Sequence, residues 1–193
     1  RPPGPVNTEG ITSRRNPLAV RLKRLGTDKK ARRAEGRFLC EGVKLVEEAL
    51  RWGAEVELLA AAEGAALPAG LPPETRRVEL PAELLDYVST VDTPQGVLAL
   101  CRTPETAPPA ELPPGRYLVL DGVQDPGNVG TIWRTADAFG AQGLFLLPGC
   151  AEPFSPKTVR STMGACFRLP VWEAELETLS ALLGRAGLPL YAT

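Results

Sequence analysis

The residues from Leu120 to Ala141 read LDGVQDPGNVGTIWRTADAFGA, a strand end, a glycine-rich turn and a helix start carrying an asparagine and an arginine. The glycines stand at 122, 127 and 130, which is not the G-x-G-x-x-G spacing of a dinucleotide loop. No Lys-Ser or Lys-Thr follows them to hold a β/γ-phosphate and its magnesium. Asn128 is a natural N-cap for the helix that follows. The free N–H groups and positive end of that helix would attract a phosphate, or a hydroxyl turning anionic. Arg134, six residues on, adds a permanent charge on a planar fork of donors. A plainer reading competes with this one: Arg134 pairs with Asp137 at i+3, and Asn128 only caps.

The motif needs a sheet behind it. Tyr117–Leu120, YLVL, is wholly apolar and reads as a buried parallel strand. Helix signals follow over Asn128–Phe139, Ser155–Thr162 and Ala174–Ala186, and strand signals over Leu144–Leu147, Phe167–Trp172 and Leu188–Ala192. This alternation predicts a parallel sheet with helices on both faces and ligands at the carboxyl ends of the strands, where the motif lies.

Upstream, residues 102–115 hold five prolines and no hydrophobic periodicity, the composition of a stiff linker. The chain is therefore expected to divide into residues 1–102, a linker over 103–115, and residues 116–193. The first part predicts an amphipathic helix over Pro17–Leu25 and a second over Val43–Trp52. A third helix is expected over Pro81–Val88. Strands are expected over Arg37–Cys40, Val56–Ala60, Arg77–Leu80 and Val97–Cys101, with a loop over Ala61–Thr75. This is a small α/β layer domain.

Charge is unevenly spread. Arg14 to Arg37 contains ten basic and two acidic residues, a local +8 in a chain of net −1. Such a block points to a polyanionic partner, with a solvated helix face as the alternative. Cys40, Cys101, Cys150 and Cys166 form no C-x-x-C pair and read as small buried hydrophobes. The chain has no histidine, which excludes Ser-His-Asp and Cys-His catalysis and the usual zinc sites. No metal is expected. No apolar run spans a bilayer, and RPPGPVNTEG has no apolar h-region, so a cytoplasmic protein is expected.

DPGNVGTIWRTADAFGA resembles the first signature motif of the SpoU/TrmH family of RNA ribose 2′-O-methyltransferases in the SPOUT superfamily, through Asp125, Pro126, Asn128, Gly130, Arg134, Ala136 and Gly140. SPKTVRSTMGACFRLPV is similar to the family's Arg-Ser-x-x-Gly-Ala segment, and ITSRRNP, FLCEGVKLVEEAL and DTPQGVLAL to its substrate-binding domain. The resemblance covers residues 11 to 193. It implies an α/β protein: a small ribosomal-protein-like RNA-binding domain, then a parallel-sheet, Rossmann-like SPOUT domain. It implies transfer of a methyl group from S-adenosylmethionine to a ribose 2′-hydroxyl in structured RNA, ribosomal RNA ahead of transfer RNA, by a homodimer. Arg134 becomes the catalytic residue, supported by Asn128. The expected RNA-binding residues are Arg14, Arg15, Asn16, Lys29, Lys30, Arg32, Arg33, Arg37, Arg160 and Ser161.

The family also has a Gly-Asn-Glu-Gly-type loop and a Ser-Leu-Asn-type segment that complete a knotted cofactor pocket. Neither occurs in these 193 residues, so the cofactor-binding residues, the knot and much of the dimer surface are expected outside them. The 193 residues alone are expected to be inactive. A non-catalytic RNA-binding module is the alternative. A dinucleotide enzyme is disfavoured, because Ala141–Pro148 lacks an acidic residue at the second strand's end.

Overall fold

Alternating side chains build two sheets that share one core. The computed structural model describes residues 8–193; the first seven residues, part of the expected N-terminal domain and of the segment read for a signal sequence, lie outside the described residues. The first sheet contains β1 (Thr8–Gly10), β2 (Arg37–Glu41), β3 (Val56–Ala62), β4 (Arg76–Leu80) and β5 (Val97–Arg102), in the order β1-β4-β3-β5-β2. β1, β4 and β3 run parallel, and β5 is antiparallel to both β3 and β2. Along β3 and β5 successive residues enter opposite clusters, Leu58 and Leu100 on one face, Leu59 and Cys101 on the other. That is the period-2 signature of a sheet buried on both sides.

Helices α1 (Pro17–Thr27) and α4 (Ala82–Val88) cover one face with Leu22, Leu25, Leu84 and Leu85. Asn16 caps α1, its side chain accepting from the Leu18 N–H at 2.9 Å, with Pro17 at the first helical position. A separate helix, α2 (Lys29–Glu35), follows, capped by Asp28 and ended by Gly36 in the left-handed region at φ 61°. The other face packs α3 (Val43–Arg51) through Val46 and Ala49.

The second sheet is three parallel strands, β6 (Tyr117–Leu120), β7 (Gly143–Leu146) and β8 (Val171–Glu173), in that order. Between them run α5 (Pro126–Ala138), α6 (Pro156–Ser161) and a 3-10 turn over Ala165–Phe167, with α7 (Leu176–Ala186) after β8. Leu144 and Leu146 face the cluster that holds Phe38, Val46, Trp133 and Cys166, so one hydrophobic core joins the two sheets. Phe145 and Leu147 point the other way, onto Leu179, Leu182 and Leu183 of α7.

Two strand expectations change. Leu188–Ala192 is not a strand; its apolar run has no strand partner among the described residues. The expected strand over Phe167–Trp172 is shortened to Val171–Glu173 by the 3-10 turn before it. The proline-rich stretch, expected as a stiff linker, packs against the second unit: Leu112 is buried against α7, and the Thr106 carbonyl accepts from the Glu173 N–H at 2.9 Å.

Candidate functional site

The turn after β6 delivers α5 to the carboxyl end of the second sheet. Asp125, not Asn128, is the N-cap: its Oδ1 accepts from the Asn128 N–H at 2.9 Å. Pro126, with its fixed φ and no N–H to orphan, starts the helix two residues earlier than the asparagine alone implies. Asn128 is thus the third helical residue, exposed. α5 is anchored by Trp133, fully buried, whose indole N–H donates to the Leu169 carbonyl at 3.0 Å. Gly130 lets α6 come close. A Cβ there would collide with Ser161 Cβ and stand 2.7 Å from the Thr158 carbonyl oxygen.

Arg134 is exposed on this anchored helix. Its Nη1 donates to the Sδ of Met163 at 2.7 Å. Asp137, the partner of the plainer reading, instead accepts from Arg168 Nε at 2.9 Å. Arg168 Nη1 also reaches Glu48 of α3 at 2.9 Å. The i+3 pair is therefore not formed. Arg134 keeps a full charge against a neutral, weakly accepting sulfur. Met163 has φ 48°, the one positive value among described residues other than glycine.

The basic block divides into tethered and free residues. Arg32 is buried, paired with Glu152 through Nε at 2.9 Å and Nη2 at 2.8 Å, and donates to the Leu25 carbonyl at 2.7 Å. It is an internal latch, unavailable to RNA in this fold. Arg33 pairs with Glu173 at 2.8 Å. Arg37 pairs with Glu57 at 2.6 Å, and Arg21 with both Glu35 and Glu57. Burial pushes the Glu57 carboxyl up, but the hydrogen bonds from Arg37 and Arg21 more than offset this and hold it below its ordinary value. Asn16 is occupied as a cap. Arg15, Lys29 and Lys30 are exposed, and Arg14 lies over the Tyr87 ring at 4.2 Å. On α6, Arg160 Nη1 donates across the two units to Thr90 Oγ1 at 2.9 Å, and Ser161 Oγ donates to the Lys157 carbonyl at 2.9 Å.

Sequence reasoning missed Met163, Arg168 and Tyr87. Arg168 stands in the FRLPV stretch, yet its partners lie 31 and 120 residues away.

These residues do not enclose a cofactor as polar as a nucleoside sulfonium. Among the described residues β6 pairs only with β7, and its other edge has no strand partner. The groove of about 650 Å³ beside it is lined mainly by apolar side chains such as Leu118, Ile132, Phe139 and Leu190. It offers neither enclosure nor a carboxylate for a ribose or an ammonium.

A model of the SpoU rRNA methylase family matches residues 115–193, and a model of the MRM3-like substrate-binding domain matches residues 16–99. The 23S rRNA (guanosine(2553)-2′-O)-methyltransferase RlmP of Bacillus subtilis is 36% identical over 184 residues, covering 95% of this chain and 72% of that protein. The chain belongs to the SpoU rRNA methylase family. A crystal structure of an rRNA methyltransferase from Sinorhizobium meliloti superimposes with a TM-score of 0.81 at 31% identity, over 93% of this chain and 70% of that one. Its AdoMet-bound form gives 0.78 at 30% identity over 93% of this chain and 69% of that one. Human mitochondrial rRNA methyltransferase 3 is 32% identical over 159 residues, 72% of this chain and 36% of that protein. The SpoU family match and the AdoMet-bound neighbour make S-adenosylmethionine the methyl donor of this SpoU chain.

Proposed function

We propose that this chain forms the RNA-gripping and ribose-facing parts of an enzyme that transfers a methyl group from S-adenosylmethionine to a ribose 2′-hydroxyl of ribosomal RNA. The observation that carries the reading is Arg134: exposed on a helix that starts from the turn after β6 and is fixed by a buried tryptophan, with no carboxylate among the described residues on its guanidinium.

A ribose hydroxyl is a poor nucleophile until its proton leaves. Arg134 stabilises the developing alkoxide or grips the adjacent phosphate, where a charged donor is worth most. It does not act as a base, since guanidinium holds its proton. An RNA phosphate or a water accepts the proton. Asn128, in the first turn of the same helix, supports the RNA with its amide. Residues up to 102 grip RNA through Arg14, Arg15, Lys29 and Lys30, residues 103–115 join the two units, and residues 116–193 face the RNA's acceptor ribose. The 2′-hydroxyl target selects RNA over DNA. We place the enzyme in the cytoplasm as a homodimer. No described helix is long and apolar enough to cross a membrane, and Phe139 at 78% and Tyr191 at 83% exposure offer apolar surface for a subunit contact.

The test uses the full-length protein, S-adenosylmethionine and ribosomal RNA lacking modification. A 2′-O-methyl group blocks alkaline cleavage at its nucleotide, so a single missing rung in the hydrolysis ladder is expected. Methylation of a base, or RNA binding with no transfer, would contradict the proposal; the latter would favour a binding module.

A further inference from the structure

Asp137 stands three residues after Arg134, close enough on a helix surface for the two to pair. Such a pair would cancel the charge that the proposed chemistry needs. The structure has removed the carboxylate by giving it to Arg168, whose Nε sits 2.9 Å from Asp137 Oδ2. Arg168 is itself held from the far side by Glu48, 2.9 Å from its Nη1. Its guanidinium passes over Gly164, where a Cβ would lie 3.1 Å from Nη1, and Gly164 takes φ 96°. The residue before that glycine is Met163, at φ 48°, whose sulfur holds Arg134. Strained backbone of this kind persists where surrounding structure enforces it. Met163, Gly164 and Arg168 thus form one short segment whose ends act on two residues of α5, Arg134 and Asp137.

We propose that Arg168 is a positioning residue for methyl transfer: by engaging Asp137 it keeps that carboxylate off Arg134 and leaves the Arg134 guanidinium on the neutral sulfur of Met163, charged and free for the RNA. This rests on the reading of Arg134 as catalytic. Without Arg168, Asp137 turns to the nearest cation on its helix, which is Arg134.

The experiment compares Arg168→Gln with Arg168→Gln/Asp137→Asn in the full-length protein. Single-turnover methylation at saturating RNA should fall by roughly twofold to tenfold in Arg168→Gln, between the cost of an exposed i,i+3 pair and that of one shielded from water by bound RNA. Adding Asp137→Asn should restore it to within about twofold of wild type. The guanidinium 15N resonance of Arg134 should shift in Arg168→Gln and return in the double variant. Arg168→Met, alone and with Asp137→Asn, keeps the aliphatic stem and guards against a folding failure of the glutamine. A double variant as slow as the single one, with the Arg134 resonance unmoved, would overturn the proposal and reduce Arg168 to a structural clamp. Failure of the underlying reading looks different: Arg134→Ala would then keep near-normal turnover.

Discussion

Arg32 and Glu152 lie 120 residues apart and meet in a two-pronged ion pair, their side chains only 8% and 9% exposed. The pair bolts α2 of the first unit to the loop after β7 of the second. Removing one partner leaves the other charge buried, so Arg32→Ala or Glu152→Ala should each cost about 3–5 kcal/mol. Replacing both at once, as Arg32→Met/Glu152→Leu, should recover most of that loss. Urea denaturation followed by tryptophan fluorescence and by far-UV circular dichroism measures it. Coincident curves for the wild type would follow from the shared core; a mild loss in either single variant would mean that the pair is solvated.

RNA affinity should depend on the free cations rather than on the whole basic block. Each lost phosphate contact lowers the slope of log K against log salt by about 0.7 to 0.9. Lys29→Ala/Lys30→Ala should therefore flatten it by roughly 1 to 2. Arg32→Met should leave the slope unchanged, because that side chain is internal. Anisotropy titrations with a labelled RNA over a range of salt distinguish the two, and an equal effect from Arg32 would be evidence against the latch.

Gly130→Ala tests the α5–α6 contact. Alanine is the better helix former, so propensity alone predicts a small gain. The collision with Ser161 and the Thr158 carbonyl predicts a loss instead, about 1–3 kcal/mol for overpacking. The contact involves backbone that cannot swing aside, so the loss should win. A melting temperature at or above that of the wild type would show that the helices are less closely apposed.

Burial pushes the Cys101 and Cys166 thiols up to about 12, and Cys40 also well upward. A raised thiol stays protonated in the folded protein while an unfolded one ionises near about 8.5. Stability from these groups is complete below that value and is lost as pH rises from there towards about 12. At mildly alkaline pH an alkylating reagent should label the half-buried Cys150 first and the other three only on unfolding. Peptide mapping reads the order; early labelling of Cys101 would contradict a closed core.

Much of this was legible in the sequence, and what was missed has both local and long-range causes. YLVL and β7 carried their own apolar signal, and the Asp-Pro pair marks a helix start ahead of Asn128. Helix α2, KKARRAE, offers Ala31 and a single arginine as its buried face, so its sequence reads as charge rather than as an element. LPLYA is apolar enough for a strand, but a strand also needs a neighbour. Arg32 and Arg168 resemble any surface arginine until the fold brings Glu152, Glu48 and Asp137 to them. Local pattern reveals elements; partners across the chain do not show in it.

The central claim is that the free guanidinium of Arg134 steadies the reacting ribose oxygen. Single-turnover methylation of ribosomal RNA by full-length Arg134→Ala, at saturating RNA and beside a melting curve, tests it most directly. The predicted result is turnover lower by roughly two to three orders of magnitude with melting and cofactor affinity nearly intact, the scale for one lost charge donor at a transition state. Arg134→Lys should rescue little, since a point charge lacks the planar fork. Turnover close to the wild type in Arg134→Ala would contradict the account, leaving Arg134 as a surface residue of a family fold.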